Sequence, residues 1–76
     1  MAELLAHLAR QLVDEPDAVK VEEVQREGAT VLQLRVAKAD VGKVIGRQGR
    51  IARALRTVVR AGGAHGSRRT LLEIVD

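Results

Sequence analysis

The sequence contains no cysteine, phenylalanine, tyrosine or tryptophan among its 76 residues. Without cysteine, neither a disulfide nor a cysteine zinc site can form. The chain therefore fits a reducing, intracellular setting, and we expect a cytoplasmic location. Without aromatic rings, no nucleic-acid base can stack on an aromatic platform, which argues against the RRM and OB-fold classes of nucleic-acid reader.

Groups suited to catalysis or metal binding are also scarce. His7 and His65 are far apart in sequence, and no serine–histidine–aspartate set can be assembled. Glu22 and Glu23 are adjacent on a predicted strand, so they point to opposite faces and cannot pair for acid–base work. We therefore expect no enzyme, no metal, no cofactor and no small-molecule substrate. No apolar run of about 18 residues occurs either, so no membrane span is expected.

Acidic residues are missing from a long part of the chain, since none occurs between Val41 and Arg69. Residues 1–40 hold five Lys/Arg and eight Asp/Glu, a net charge of −3, and residues 41–76 hold eight Lys/Arg and two Asp/Glu, a net charge of +6. A one-sided basic half favours a polyanionic partner. A solvated, charged face that promotes solubility explains the charge equally well, so charge alone does not decide.

The first half of the chain shows a helical pattern and then an alternating one. Leucines at helical spacing predict a helix over residues 2–13. Residues 18–26 and 30–37 predict two strands that form a hairpin, with a bulge or strand end near Glu23 because Val24 is out of phase. The apolar positions expected to face a core are Leu4, Leu5, Leu8, Leu12, Leu32, Leu34 and Val36.

The second half predicts two helices and a strand. Asp40 is a suitable N-cap for a short helix over residues 41–45. A longer helix is predicted over residues 50–61, a loop over 62–69 and a last strand over 70–75. The expected core positions in this half are Ile51, Leu55, Val58, Val59, Leu72 and Ile74.

The predicted element order is therefore α-β-β-α-α-β. The hairpin strands pair antiparallel, and the last strand returns after a helical crossover to lie parallel to the second. The helices then cover one sheet face. We expect an α+β fold, a three-stranded mixed sheet with helices packed on one face, in one domain over residues 1–76.

A short glycine loop lies between the two later helices, where Gly46 and Gly49 bracket an arginine and a glutamine. Glycine permits positive φ and close approach of the backbone to a ligand, and a following helix offers free N–H groups. The exposed side of that helix continues the positive charge with Arg50, Arg53, Arg56 and Arg60. These residues alone leave two interpretations open, a phosphate-binding loop or a plain sharp corner between helices.

The element order with this loop closely resembles a type II KH domain. Residues 42–56, with residues 12–14 and 16–19, are similar to the small bacterial stand-alone KH proteins, the KhpA-like family. The resemblance covers essentially the whole chain. It implies a protein that clamps the phosphate backbone of single-stranded RNA with its GxxG loop and acts as an RNA chaperone or post-transcriptional regulator.

The resemblance also implies site residues. The clamp would comprise Gly46, Arg47, Gln48 and Gly49, with Lys43, Arg50 and Arg53 beside it. The floor of the base groove would comprise Val44, Ile45, Ala52 and Leu55. Many KH domains have a large aliphatic residue at the position of Ala52. Residues 62–69 correspond to the variable loop, in which Arg68 and Arg69 are either a basic rim or plain solvated residues.

A partner is implied as well, either a second copy in a homodimer or a larger Jag-like KH protein in a heterodimer. Leu71 and Val75 are out of phase with the core face and favour an association surface. Two alternatives remain open at this point. One is a protein–protein adaptor with a KH fold, and the other is a single-stranded DNA or nucleoid-type binder, since no residue is identified that must read the 2′-hydroxyl.

Overall fold

A computed structural model of the chain describes residues 1–62 and 69–75, and its elements follow the predicted order. The α-helices are α1 (Ala2–Leu12), α2 (Val41–Ile45) and α3 (Arg50–Gly62), and the strands are β1 (Lys20–Arg26), β2 (Ala29–Arg35) and β3 (Arg69–Val75). Single turns of 3₁₀ helix lie at Pro16–Ala18, Lys38–Asp40 and Arg47–Gly49. No helix in the described part of the chain is long and apolar enough to cross a membrane.

The three strands form one mixed sheet with β2 in the centre. β1 pairs antiparallel with β2, and β2 pairs parallel with β3, which confirms the predicted α+β sheet. The β1–β2 ladder runs without interruption, so the predicted bulge near Glu23 is wrong. Val24 pairs with Val31, and Val31 with Leu71, so these three share the face opposite Leu32. Val24 is out of phase because it belongs to this other face.

The core lies between the helices and the other sheet face. α1 packs on β1 and β2, and α3 packs on β3. The side chains of this core that are less than a tenth exposed are Leu5, Ala9, Val19, Leu32, Leu34, Val36, Val44, Leu55 and Val59. Leu72 and Ile74 are half-buried and pack against them.

Two predicted core residues lie at the edge of the core instead. Leu4 is 46% exposed and Val58 is 36% exposed. Each sits one helical step beside a residue that is fully buried, Leu5 on α1 and Val59 on α3. The apolar stripe of each helix is thus wider than the part of the helix that is buried in the core.

Candidate nucleic-acid interface

The glycine loop is a tight corner between α2 and α3. Gly46 ends α2 by donating its N–H to the carbonyl oxygen of Gly42 at 2.9 Å, and Gly49 donates its N–H to the carbonyl oxygen of Gly46 at 3.1 Å. Three of the four loop residues have positive φ, namely Gly46 (76°), Gln48 (58°) and Gly49 (73°). α3 then begins at once with Arg50.

The two glycines of this loop are required for different reasons. A Cβ on Gly46 would lie 2.6 Å from Cγ1 of Ile51 and 2.9 Å from its backbone nitrogen, so no side chain fits there. Gly46 therefore allows α2 to pack tightly against the start of α3. A Cβ on Gly49 would meet nothing within 4 Å. The sequence predicted that both glycines leave the backbone open to a ligand. This space is open at Gly49, but at Gly46 it is filled by Ile51.

The residues between the glycines present polar side chains to solvent. Arg47 and Gln48 are both exposed. Gln48 adopts a left-handed conformation that non-glycine residues rarely occupy. Its Oε1 accepts a hydrogen bond from Nη2 of Arg50 at 3.3 Å. The corner therefore displays a guanidinium group and an amide beside the first turn of α3.

A groove of about 590 Å³ runs from this loop along β3, and we refer to it as the β3 groove. Four consecutive residues, Leu71 to Ile74, line it, so it follows the edge of the strand and not one face. Among the described residues, β3 has a strand neighbour on one side only. The remaining lining residues are Arg26, Glu27, Ala29, Val31, Ile45, Gly49, Ala52, Arg56 and Arg69.

The predicted base-groove residues divide into two pairs. Ile45, which is 38% exposed, and Ala52 both line the β3 groove. Val44 is fully buried and Leu55 is 5% exposed, and both belong to the core. Neither lines the β3 groove, so the structure does not bring these two predicted base-groove residues to it. Ala52 lines the groove with only 3% of its surface exposed.

The arginines of α3 point in different directions. Arg56, one turn after Ala52, lines the β3 groove. Arg50, predicted as a clamp residue, lines a different groove on the opposite side of α3. Arg53 is exposed and lines neither of the two grooves. Arg56 was not among the predicted site residues, although its i, i+4 spacing from Ala52 places both on one side of α3.

Other basic residues reach the β3 groove from the sheet. Arg69, the first residue of β3, lines it as the variable-loop interpretation suggested, while Arg68 and the rest of residues 63–68 lie outside the described residues. Arg26 comes from the end of β1, and no local sequence signal linked it to this site. It is brought there by the pairing of Arg26 with Ala29 and of Ala29 with Arg69.

Lys43 is held by carboxylates. Its Nζ contacts Oδ2 of Asp14 and lies 3.4 Å from Oδ1 of Asp40. Asp40 stands at the N-cap position of α2, as predicted, but its side chain makes no cap hydrogen bond. Instead, Oδ2 of Asp40 accepts the backbone N–H of Glu15 at 3.0 Å, across the molecule in the segment between α1 and β1.

These contacts shift the pKa values of both Asp40 and Lys43. Burial alone would raise the pKa of Asp40, but hydrogen bonds from the backbone N–H groups of Glu15 and Asp14 outweigh it. Together with the ammonium group of Lys43, they hold the pKa of Asp40 below its usual value. The hydrogen bond to the Asp14 carboxylate raises the pKa of Lys43, against the smaller opposing effect of burial.

The second groove lies between α1 and α3 and is almost wholly apolar, with a volume of about 380 Å³; we refer to it as the α1–α3 groove. Its lining residues are Leu8, Gln11, Leu12, Arg50, Ile51, Ala54, Leu55 and Val58. Within residues 1–62 and 69–75 there is no group of three or more His, Cys, Asp or Glu side chains that could hold a metal ion.

Comparisons with known proteins show which family the chain resembles. The family model described as KhpA/KhpB, KH domain, matches residues 2–74. The RNA-binding protein KhpA of Treponema pallidum is 55% identical over 97% of this chain and 92% of its own length. The proteins of the same name from Clostridium acetobutylicum and Bacillus subtilis are 49% and 42% identical, over 99% and 100% of this chain and 100% and 94% of their own. No solved structure matches the chain.

Proposed function

We propose that this chain, which belongs to the KhpA/KhpB KH-domain family, binds single-stranded RNA in the β3 groove in the manner of a type II KH domain. The observation that carries the proposal is the position of Gly49. Its backbone has open space where a side chain would stand, and it opens onto a groove that Arg56 and Arg69 also line. The relatives named RNA-binding protein KhpA support the choice of RNA.

The phosphate chain is proposed to lie against the corner of the glycine loop. Arg47 supplies a charge there and Gln48 supplies an amide. The N–H of Arg50 is donated to the carbonyl oxygen of Arg47, so the next N–H groups of α3 are the backbone donors beside the loop. Arg56 continues this positive track along the groove. With about three phosphates neutralised, the log–log slope of affinity against salt should be about −2 for a single strand.

The bases are proposed to lie on the apolar lining of the groove. Ile45 and Leu72 offer aliphatic contact, and the outer edge of β3 offers backbone donors and acceptors. The chain has no aromatic ring for stacking. Recognition of about four nucleotides by such contacts gives weak sequence preference and loose binding.

The clamp is tested by replacing Arg47 and Gln48 together with Asp. The expected result is loss of RNA retention in a mobility-shift assay on mixed single-stranded RNA, because two carboxylates would face the phosphates. Both side chains are exposed, so the circular dichroism spectrum and the thermal transition should be retained. A folded double variant that still retains RNA would reject the clamp.

A matched control is available in Arg10 and Gln25, which are also exposed and line neither groove. The double variant Arg10→Asp with Gln25→Asp makes the same two chemical changes and the same change in net charge. It should keep most of the RNA affinity at moderate salt, because neither position lines the groove and exposed charges outside it are screened. If both double variants lose RNA equally, the effect is one of overall charge and the loop has no special role.

RNA and DNA are separated by a direct comparison. Oligonucleotides of the same sequence in ribose and deoxyribose form should be titrated under identical salt, and RNA should bind more tightly. Equal affinities would favour the single-stranded DNA or nucleoid-type alternative, and no binding to either would favour the adaptor. In the cell we place the chain in the cytoplasm as an RNA chaperone or post-transcriptional regulator, which crosslinking of bound RNAs to residues 46–56 would test.

We also propose that the chain works as a dimer, through a second copy or a Jag-like KH partner, because two loosely binding sites gain avidity when joined. The sequence pattern favours Leu71 as part of an association surface. Leu71 is 39% exposed but lines the β3 groove, where RNA would compete with a partner. The α1–α3 groove is apolar and leaves the RNA site open. The variant Val58→Glu should therefore lower the molar mass measured by light scattering, while Thr57→Glu on the same helix should leave it unchanged.

A further inference from the structure

Asp40 is the buried charged side chain of the described residues, with 1% of its surface exposed. Both of its oxygens are engaged, Oδ2 with the N–H of Glu15 at 3.0 Å and Oδ1 with Nζ of Lys43 at 3.4 Å. Neither contact belongs to the core cluster of apolar side chains. Asp40 joins the segment after α1 to the start of α2, although Glu15 and Asp40 are 25 residues apart in the sequence.

α2 needs such an attachment because it has only five residues. A helix of this length is unstable by itself, so its orientation depends on tertiary contacts. The side chain of Val44 fixes one side of it in the core. Asp40 fixes its first residue, and Lys43 fixes its middle through Asp40 and Asp14. Gly46 follows three residues after Lys43, so the direction in which α2 points sets the position of the loop.

The charges around Lys43 make it unsuited to phosphate. Its ammonium group contacts the carboxylates of Asp14 and Asp40, so the three groups together carry a net charge of −1. A phosphate approaching Nζ would be repelled by these two carboxylates, which already neutralise the charge of the ammonium group. Arg47, by comparison, is exposed and has no carboxylate partner among the described ion pairs.

We propose that Asp40 and Lys43 are positioning residues for the glycine loop, and that Lys43 makes no phosphate contact. The proposal rests on RNA binding by that loop and corrects the place of Lys43 among the predicted clamp residues. Asp40 is held by the backbone of Glu15, and Lys43 links α2 to Asp40. Asp14, whose side chain is 76% exposed, provides the outer half of the attachment.

The salt dependence of RNA binding separates positioning from contact. Lys43→Gln and Arg47→Gln each remove one positive charge. Arg47→Gln should reduce the magnitude of the log–log salt slope by about 0.7, the value for one lost phosphate contact on a single strand. Lys43→Gln should have the same salt slope as the wild-type protein. It should weaken RNA binding by about 3- to 10-fold, because the loop is displaced. A slope reduced by the same amount in Lys43→Gln would overturn the proposal.

The loop itself gives a readout that needs no RNA. Asp40→Asn keeps the size of the side chain and removes its charge. In ¹H–¹⁵N spectra of the free protein, the amide signals of Gly46 and Gly49 should shift, and RNA affinity should fall at an unchanged salt slope. A folded Asp40→Asn protein with unmoved loop signals and wild-type affinity would contradict the proposed positioning role of Asp40.

Asp14→Asn serves as the second variant, because an exposed side chain can be changed without unfolding the chain. It should shift the amide signals of Lys43 and Gly46 in the same direction as Asp40→Asn, by a smaller amount. Unmoved signals in Asp14→Asn would refute the proposal even if Asp40→Asn did not fold. Failure of the wild-type protein to bind RNA would reject the proposed function alone, since the spectra of the free protein judge the anchor separately.

Discussion

At the scale of single residues, the glycines show how one motif can combine two requirements. Gly46 is needed because Ile51 occupies the space of a side chain, and Gly49 because the backbone turns with positive φ beside a groove. Gly42, four residues before Gly46, has neither constraint. The same amino acid therefore has three different costs of replacement within eight positions.

The first prediction concerns these costs. Gly46→Ala should destabilise the chain by more than about 2 kcal/mol, since it adds a steric clash to an unfavourable φ. Gly49→Ala should cost about 1 kcal/mol from φ alone. Gly42→Ala should stabilise α2 by about 0.5–1 kcal/mol, because alanine is the better helix former at a position with open space. Urea denaturation of the three variants measures the order, and an equal cost at positions 42 and 46 would contradict it.

The second prediction is a pH dependence that belongs to Asp40. Its pKa in the folded chain lies below the usual 3.8, so the charged form is favoured by folding. This contribution is complete above the unfolded pKa and is lost as the pH falls through the folded one. The difference in unfolding free energy between the wild-type protein and Asp40→Asn should be constant near neutral pH and shrink below pH 3.8. A difference that grows on acidification would show the opposite shift.

At the scale of elements, the sequence pattern predicted helices and strands well because their periods differ. Leu32 and Leu34 alternate with polar residues along β2, and α3 carries apolar residues at helical spacing, and both sets pack as expected. The pattern could not rank residues at the edge of a stripe. Val58 and Val59 look alike in sequence, yet one is 36% exposed and the other fully buried, because burial depends on where the neighbouring helix lies.

The site was harder to predict for the same reason. Loop residues 46–49 were identified from local spacing, since glycines and a helix start are adjacent in sequence. The groove beside them depends on β3, which is separated from the loop by the whole of α3. Whether Val44 or Ile45 points into that groove depends on the rotation of a five-residue helix, which its short sequence does not determine.

The third prediction tests the apolar lining of the β3 groove. Ile45→Ala removes a side chain that is 38% exposed and lines the groove. RNA affinity should fall by about 3- to 10-fold, because apolar contact worth about 1 kcal/mol with the bases is lost, while the salt slope stays unchanged. Fluorescence anisotropy with labelled RNA at several salt concentrations measures both quantities. Unchanged affinity would show that bases do not reach Ile45.

At the scale of the whole molecule, the distribution of charge is organised by the fold. The acid-free half of the sequence supplies the loop, α3 and the start of β3, whereas the acidic half supplies α1 and β1. Lys43 is the exception, because it is turned toward Asp14 and Asp40 from the acidic half. The positive charge of the proposed RNA site therefore comes from arginines, and the high pKa of arginine keeps it charged at every physiological pH.

The fourth prediction follows from that arrangement. Between pH 6 and pH 9 the RNA affinity of the wild-type protein should change little at constant ionic strength, because arginines and phosphates stay charged across this range. Titrations by anisotropy at three pH values check it. A clear fall toward pH 9 would indicate that a lysine or another group titrating in this range contributes to the binding charge.

Ile51 links the two surfaces of α3. Its Cγ1 fills the space against Gly46 at the base of the loop, and its side chain also lines the α1–α3 groove. A molecule bound in the α1–α3 groove would press on the same isoleucine that packs against Gly46 of the glycine loop. If such pressure displaces Ile51, thermodynamic reciprocity requires that RNA and a partner change each other's affinity by the same factor.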